Sequence, residues 1–315
     1  MKKTSSPDTQ TIQPDCSHRR LSRRTFLALN GAGAFTLLSA HGLVLEPRSI
    51  VTETLSLPMK KLRAGQELNL VHISDLHIEK FSAYHQDVIR RVNTPQADVI
   101  LITGDFIGEE RNLAAVRNFL RQLKASHGIF AVQGNWEYWG RVEGKNLQRA
   151  FSNWGIELLI NQRRDIHIDD LPLSIAGLDY PSATDALNTL HRRMDPARLN
   201  LLMSHVPAFE HHLLDDRIDL VLAGHTHGGQ IRLPLLPPPH LPRFSDPFVD
   251  GLYHVGPGIP LYVTRGVGTS VLPLRLFCPP EITRMTLHGS SGSFHSLPSE
   301  IVSQVRGQAS KLVHK

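Results

Sequence analysis

The chain has 315 residues, 41% of them apolar and 20% charged, which suits one large globular domain or two modest ones. Its two cysteines, Cys16 and Cys278, exclude a disulfide framework and a thiolate metal site. The formal charge of +5 is concentrated at one end. Up to Leu45, six bases (Lys2, Lys3, Arg19, Arg20, Arg23, Arg24) stand against Asp8 and Asp15, a balance of +4. The remainder is near neutral, so no nucleic-acid partner is expected.

In chain order, residues 1 to 18 are polar. Ser22-Arg23-Arg24-Thr25-Phe26-Leu27 then opens a mildly apolar stretch that runs to Leu45 and is interrupted by Asn30, Gly31, Gly33 and His41. Paired arginines ahead of such a stretch resemble a twin-arginine export signal. That resemblance implies the twin-arginine export machinery as a partner and a location in the periplasm or on the outer face of the cytoplasmic membrane. Ala40-His41-Gly42 offers a poor cleavage site, so removal of the leader and its retention as an anchor both stay open. Proteins on this route travel folded, which suits a metal site loaded before export. Residues 1–47 are thus read as leader, 48–288 as the folded domain and 289–315 as a peripheral Ser-rich tail with at best a short helix near Ser299 to Val305.

Within the folded part, short apolar runs end abruptly in polar residues. Leu68 to Ile73 precedes Ser74-Asp75-Leu76-His77, and Asp98 to Thr103 precedes Gly104-Asp105. Gly128 to Val132 precedes Gln133-Gly134-Asn135. Leu199 to Met203 precedes Ser204-His205, and Ile218 to Leu222 precedes Ala223-Gly224-His225. Continuous runs of this length predict strands covered on both faces. Helical patterns fall between the early ones, over Tyr84 to Val92 and Leu113 to Ser126. Further strands are expected at Leu173 to Ala176, Leu252 to Val255, Pro260 to Thr264 and Ile282 to Leu287. The expected class is α/β with two packed sheets and helices outside. Each polar cluster then sits at a strand's carboxyl end, where open α/β sheets bind ligands.

The clusters supply metal donors. Asp75 and His77 stand two apart, and on an extended segment such side chains point the same way and can grip one ion. Asp105 offers two carboxylate oxygens, enough to bridge two ions, and Asn135 offers an amide oxygen. His205, His225 and His227 add imidazoles, the last two again two residues apart. Oxygen and nitrogen without sulfur suit Mn, Fe or Zn. Two ions roughly 3.5–4 Å apart can align nucleophile and phosphoryl group, and a bound water acidified to a pKa near 7 supplies hydroxide. No nucleophilic serine motif, Walker loop or dinucleotide fingerprint competes. Singly, Asp75 or Asp105 could cap a helix, His205 could be a core histidine, and Cys278 reads as a small buried hydrophobe.

The ordered series Asp-x-His, Gly-Asp, Gly-Asn, His and Gly-His-x-His resembles the calcineurin-like metallophosphoesterase superfamily over roughly residues 68 to 288. Gly228 to Pro234 and Leu272 to Thr283 look like its exported bacterial branch. The resemblance implies a four-layer α/β/β/α sandwich of two mixed sheets. It also implies one ion on Asp75, His77, Asp105 and His227, and another on Asp105, Asn135, His205 and His225. Asp105, Asn135 and His205 would then serve catalysis.

Two positions depart from the family pattern: Gly108 stands where a supporting Asp is usual, and Trp136 where a His follows the Asn. An indole only donates and cannot protonate a leaving group. A lost general acid costs about 10²–10⁴ in rate, which a substrate with an acidic leaving group tolerates best. A phosphodiester or pyrophosphate is therefore expected. Leu233 to Phe244, apolar and proline-rich, follows the histidine pair; it reads either as a loop packed on its own sheet or as a greasy lip for a lipid-linked or envelope substrate at a membrane surface. The alternative function is a catalytically weak binding module on the same fold.

Overall fold

A computed structural model describes residues 38–289 together with 22–24, 30 and 36. The expected tail helix and Cys16 lie outside the described residues. The sheets, their helices and the metal-donor loops all belong to the compact unit that begins at His41.

Twelve strands form two six-stranded sheets among the described residues. The first contains β1 (Val51–Met59), β2 (Glu67–Ile73), β3 (Val99–Ile102), β4 (Ile129–Ala131), β5 (Glu157–Leu158) and β12 (Glu281–Gly289), in the order β1-β12-β2-β3-β4-β5. The second contains β6 (Gln162–Ile168), β7 (Leu171–Leu178), β8 (Leu199–Ser204), β9 (Leu220–Ala223), β10 (Gly251–Val255) and β11 (Ile259–Val263), in the order β10-β11-β9-β8-β7-β6. Both sheets are mixed. β2 to β5 run parallel with β12 antiparallel to β2, while β7, β8, β9 and β11 run parallel between antiparallel β6 and β10.

The continuous apolar runs have a simple cause: their alternate side chains serve two different cores. Leu68, Leu70, Val99 and Leu101 meet Leu173, Ile175, Leu201 and Leu222 between the sheets. Val71, Ile73, Ile100 and Ile102 face outward onto α1 (Ala83–Asn93), α2 (Leu113–Leu120) and α4 (Lys145–Asn153), through Val88, Phe119 and Phe151. On the far side, Leu202, Val221 and Leu261 pack with Leu187 and Leu190 of α5 (Thr184–Arg192). Two shorter helical pieces are α3 (Asn135–Trp139), directly after β4, and the π-helical turn His41–Leu45. This is the expected α/β/β/α sandwich.

Some elements differ from expectation. β1 and β6 are edge strands in which four of nine and four of seven residues are exposed, so no apolar run announces them. α2 stops at Leu120 rather than Ser126, because Ala125 pairs with Ala97 as the chain turns into β4. Glu46 lies within the folded body, 4% exposed, and accepts the N–H groups of Phe277 and Cys278.

Candidate metal centre

The loops after β2, β3, β4, β8 and β9 meet where the parallel ends of the two sheets converge. The β2 and β3 loops run side by side, with Asp75 N–H donating to Gly104 O and His77 N–H to Asp105 O, both at 3.0 Å. Across the sheets, Gly224 N–H donates to His205 O at 3.0 Å, and His225 N–H reaches both Asp75 oxygens at 3.2 and 3.0 Å. Two glycines permit the approach. A Cβ on Gly224 would collide with Ser74 and Asp75, and one on Gly134 with Asp105 and His205.

All seven residues singled out from the sequence come together. One ligand atom each from Asp75, His77, Asp105 and His227 lie within 4.8 Å of one another, and so do those of Asp105, His205 and His225. Asn135 joins the second group, its Oδ1 lying 3.0 Å from His205 Nε2 with the amide oriented as it stands. The reason for convergence is not the expected one, because the i, i+2 pairs are not extended. Asp75, His77, Asp105, His225 and His227 all have left-handed backbone, at φ of 53°, 44°, 53°, 72° and 52°. Non-glycine residues rarely adopt that region, and it clusters at sites where the surroundings over-determine the geometry. At Asp105, Oδ1 accepts Trp136 N–H at 2.9 Å, and Oδ2 lies in reach of both groups, 3.6 Å from His77 Nε2 and 3.3 Å from His205 Nε2.

The donor chemistry fits divalent cations. His205 Nδ1 lies 2.6 Å from Thr103 O and His225 Nε2 lies 2.7 Å from Arg243 O. A carbonyl only accepts, so those nitrogens carry protons, which leaves His205 Nε2 and His225 Nδ1 as the atoms turned inward to serve a cation. They sit 3.0 Å apart. His77 Nε2 and His227 Nε2 similarly face each other at 3.1 Å. Acceptors converging in this way call for positive charge at their focus. The acid–base balance agrees. Burial alone would lower His205, yet the Asp105 and Asp75 carboxylates push it up to about 9, so without an ion a proton on Nε2 supplies the positive charge that a cation would displace; burial depresses His77 and His225 to about 4. The pair of clusters fits a dinuclear divalent metal site.

Two supporting residues, Glu137 and Arg275, escaped the sequence reading, and a third, Cys278, was read there as a small buried hydrophobe. Glu137, fully buried, accepts N–H groups from Asp105, Phe106, Ile107 and Gly134 at 2.7–3.2 Å, tying the β3 loop to the β4 loop. Its signal was its place two residues after Asn135. Arg275, 0% exposed, donates to the carbonyls of Arg265, Gly266, Gly268 and Cys278, and that loop in turn backs Asp75 through Val267 N–H to Ser74 O and Gly268 N–H to Asp75 O. Cys278, buried and unpaired with any cysteine, points its thiol at His227 O. Arg275 and Cys278 lie in the Leu272 to Thr283 stretch singled out above, but no sequence signal marked either of them for this supporting role.

A cavity of about 470 Å³ opens over the centre, lined by Asp105, Asn135 and His227 below and by Trp136, Trp139 and Leu272 on its walls. The Trp136 ring meets His77 edge-on at 5.2 Å.

Two mixed sheets with flanking helices and an oxygen–nitrogen centre at their joined edges define a metallophosphoesterase fold. Residues 68–229 match the calcineurin-like phosphoesterase family, and the chain belongs to it. It is 30% identical over 246 residues to the uncharacterized metallophosphoesterase YkoQ of Bacillus subtilis, covering 75% of this chain and 90% of that protein. Its identity to YkuE of the same organism, also an uncharacterized metallophosphoesterase, is 31% over 290 residues, covering 87% of this chain and all of the relative. Among solved structures, the NAD nucleotidase of Haemophilus influenzae aligns with a TM-score of 0.44 at 17% identity, over 65% of this chain and 46% of that one. The chain is a metal-dependent phosphoric ester hydrolase.

Proposed function

We propose that the chain hydrolyses a phosphodiester or pyrophosphate bond, with one divalent ion on Asp75, His77, Asp105 and His227 and a second on Asp105, Asn135, His205 and His225. The observation that carries this reading is the pair of inward-facing imidazole nitrogens, His205 Nε2 and His225 Nδ1, held 3.0 Å apart beside an amide oxygen and a carboxylate. Mn, Fe and Zn suit such donors. When bound, two ions neutralise phosphoryl charge and make water acidic enough to attack near neutral pH. The chain's own groups do the rest. Thr103 O and Arg243 O fix the imidazole tautomers. Glu137 holds Asp105 and Asn135 in one frame. Trp136 walls the cavity and, as an indole, cannot protonate a departing oxygen. Acidic leaving groups, those of pyrophosphates and activated diesters, need no such proton.

The reading extends to location and substrate class. The Arg23-Arg24 leader supports twin-arginine export and an enzyme outside the cytoplasm. The apolar walls of the cavity support a lipid-linked or envelope phosphoester. The test is metal analysis of the purified chain together with hydrolysis of bis- and mono-nitrophenyl phosphate in Mn²⁺. Two ions per chain and turnover of the diester are expected; fewer than two ions and no turnover would favour a binding module. Trp136→His should raise turnover of alkyl esters well above its effect on nitrophenyl esters, and equal gains on both would defeat the leaving-group argument.

A further inference from the structure

The cavity's rim carries apolar side chains that no part of the described chain covers. Leu235 is 104% exposed, Val271 88% and Trp139 65%, with Leu236, Leu272 and Phe277 also exposed. The backbone is strained to present some of them: Leu235, Val271 and Phe277 have φ of 68°, 62° and 53°. A β-branched residue in the left-handed region is a true outlier, and a glycine or asparagine would fit there more easily.

Backbone hydrogen bonds join the segments that carry most of these side chains. Arg232 N–H donates to Leu276 O at 2.8 Å and Leu276 N–H to Gln230 O at 3.0 Å, which joins the segment before Leu233 to the segment around Phe277. Arg275 N–H donates to Gly42 O at 3.0 Å, which adds the turn His41–Leu45 with Leu43, Val44 and Leu45 exposed. The chain therefore enters its folded body beside the segment whose Val271 and Leu272 wall the metal cavity.

What reaches that point is the apolar stretch from Phe26 to Leu45, preceded by Arg19, Arg20, Arg23 and Arg24. Apolar side chains behind a basic cluster match the interface of a bilayer with anionic lipids. Among the described residues no helix is long and apolar enough to cross a membrane, whereas exposed loop side chains of this kind suit the bilayer surface. We propose that Leu43–Leu45, the 233–236 segment and the 271–277 segment form a bilayer-docking face that sets the mouth of the metal cavity against the lipid surface. This deepens the lipid-linked reading above and rests on it for substrate class. Substrate would then reach the centre along the apolar wall, without leaving the interface for water.

The test uses the full chain with vesicles of phosphatidylcholine and phosphatidylglycerol carrying brominated acyl chains, which quench tryptophan at short range. Trp139 should be quenched, and Trp139→Phe should remove most of that signal. Leu235→Asp with Leu236→Asp changes only exposed side chains outside the cavity lining. It should cut both the quenching and the turnover of vesicle-borne phosphatidyl nitrophenol by about tenfold or more, with turnover of soluble bis-nitrophenyl phosphate unchanged. Vesicle binding without Trp139 quenching would overturn the proposal, because the leader alone would then be the tether. Quenching that ignores the double substitution would overturn it too. Intact quenching with no turnover of the soluble ester would uphold the docking face and instead remove the hydrolase reading.

Discussion

One side chain outside the donor set, Glu137, does much to set the centre's geometry. Glu137 gathers four backbone N–H groups from two loops. Glu137→Gln keeps the shape but turns an NH2 group toward donors. Stability should fall by about 1–3 kcal/mol, and the metal content per folded chain should drop, since the frame for Asp105 and Asn135 is lost. Unchanged metal stoichiometry would show that Glu137 serves folding alone. His72 supplies a cleaner pH experiment because it lies inside the sandwich, bonded to Thr103 Oγ1 at 2.8 Å and away from the donors. Burial lowers its pKa to about 3 from an ordinary 6.5. Between those values the unfolded chain binds the proton and the folded chain does not. Stability contributed by the neutral ring is therefore complete above pH 6.5 and is lost as pH falls toward 3, at up to about 1.4 kcal/mol per pH unit. His72→Gln should flatten that part of the profile. Parallel curves for parent and variant between pH 6 and 4, followed by denaturant midpoints, would refute it.

At the scale of elements, the buried strands were legible in the sequence, whereas the edge strands β1 and β6 and the backbone of the turns were not. A run such as Val99–Ile102 announces itself because both faces are buried, and the polar residue that ends it marks the sheet edge. Asp75 and His77 were rightly grouped, yet by period-2 reasoning that their left-handed backbone overrules, and His225 and His227 fall in separate clusters. Nothing local in Ser-Asp-Leu-His demands a positive φ; the neighbouring loops impose it, through Gly104 O and Asp105 O accepting from Asp75 and His77. Arg275 was equally silent, since its partners are backbone carbonyls from a separate loop, which no side-chain pattern reveals. The close approach of loops gives a prediction of its own. Gly224→Ala places a methyl group against Ser74 and Asp75. Overpacking of this kind costs about 1–3 kcal/mol. Here the yielding part would be the Asp75 carboxylate, so the variant should fold yet lose the ion on Asp75, His77, Asp105 and His227. Full occupancy of both ions in a folded Gly224→Ala protein would count against the assignment.

For the whole molecule, the centre is a joint between two sheets. Asp75, His77, Asp105 and Asn135 follow strands of the first sheet, while His205, His225 and His227 follow strands of the second. Ions held across that joint would bind the native arrangement and not the unfolded chain, so they must add to stability by mass action. At a free concentration a hundredfold above Kd, the gain is about 2.7 kcal/mol for one site. In a chain of this size, that corresponds to a rise in Tm of roughly 5–10 °C. Chelation should lower Tm by that order and Mn²⁺ should restore it. Asp105→Asn provides the control that separates linkage from nonspecific effects of salt. Its Oδ2 is the atom shared by both clusters, so replacing it weakens both ions together and should remove most of the metal-dependent shift. Thermal unfolding of parent and variant, each with chelator and with Mn²⁺, reads the difference directly. If both shift equally, the ions sit elsewhere. If only the parent shifts, the two sheets are clamped at Asp105, and the same clamp that stabilises the fold sets the catalytic geometry.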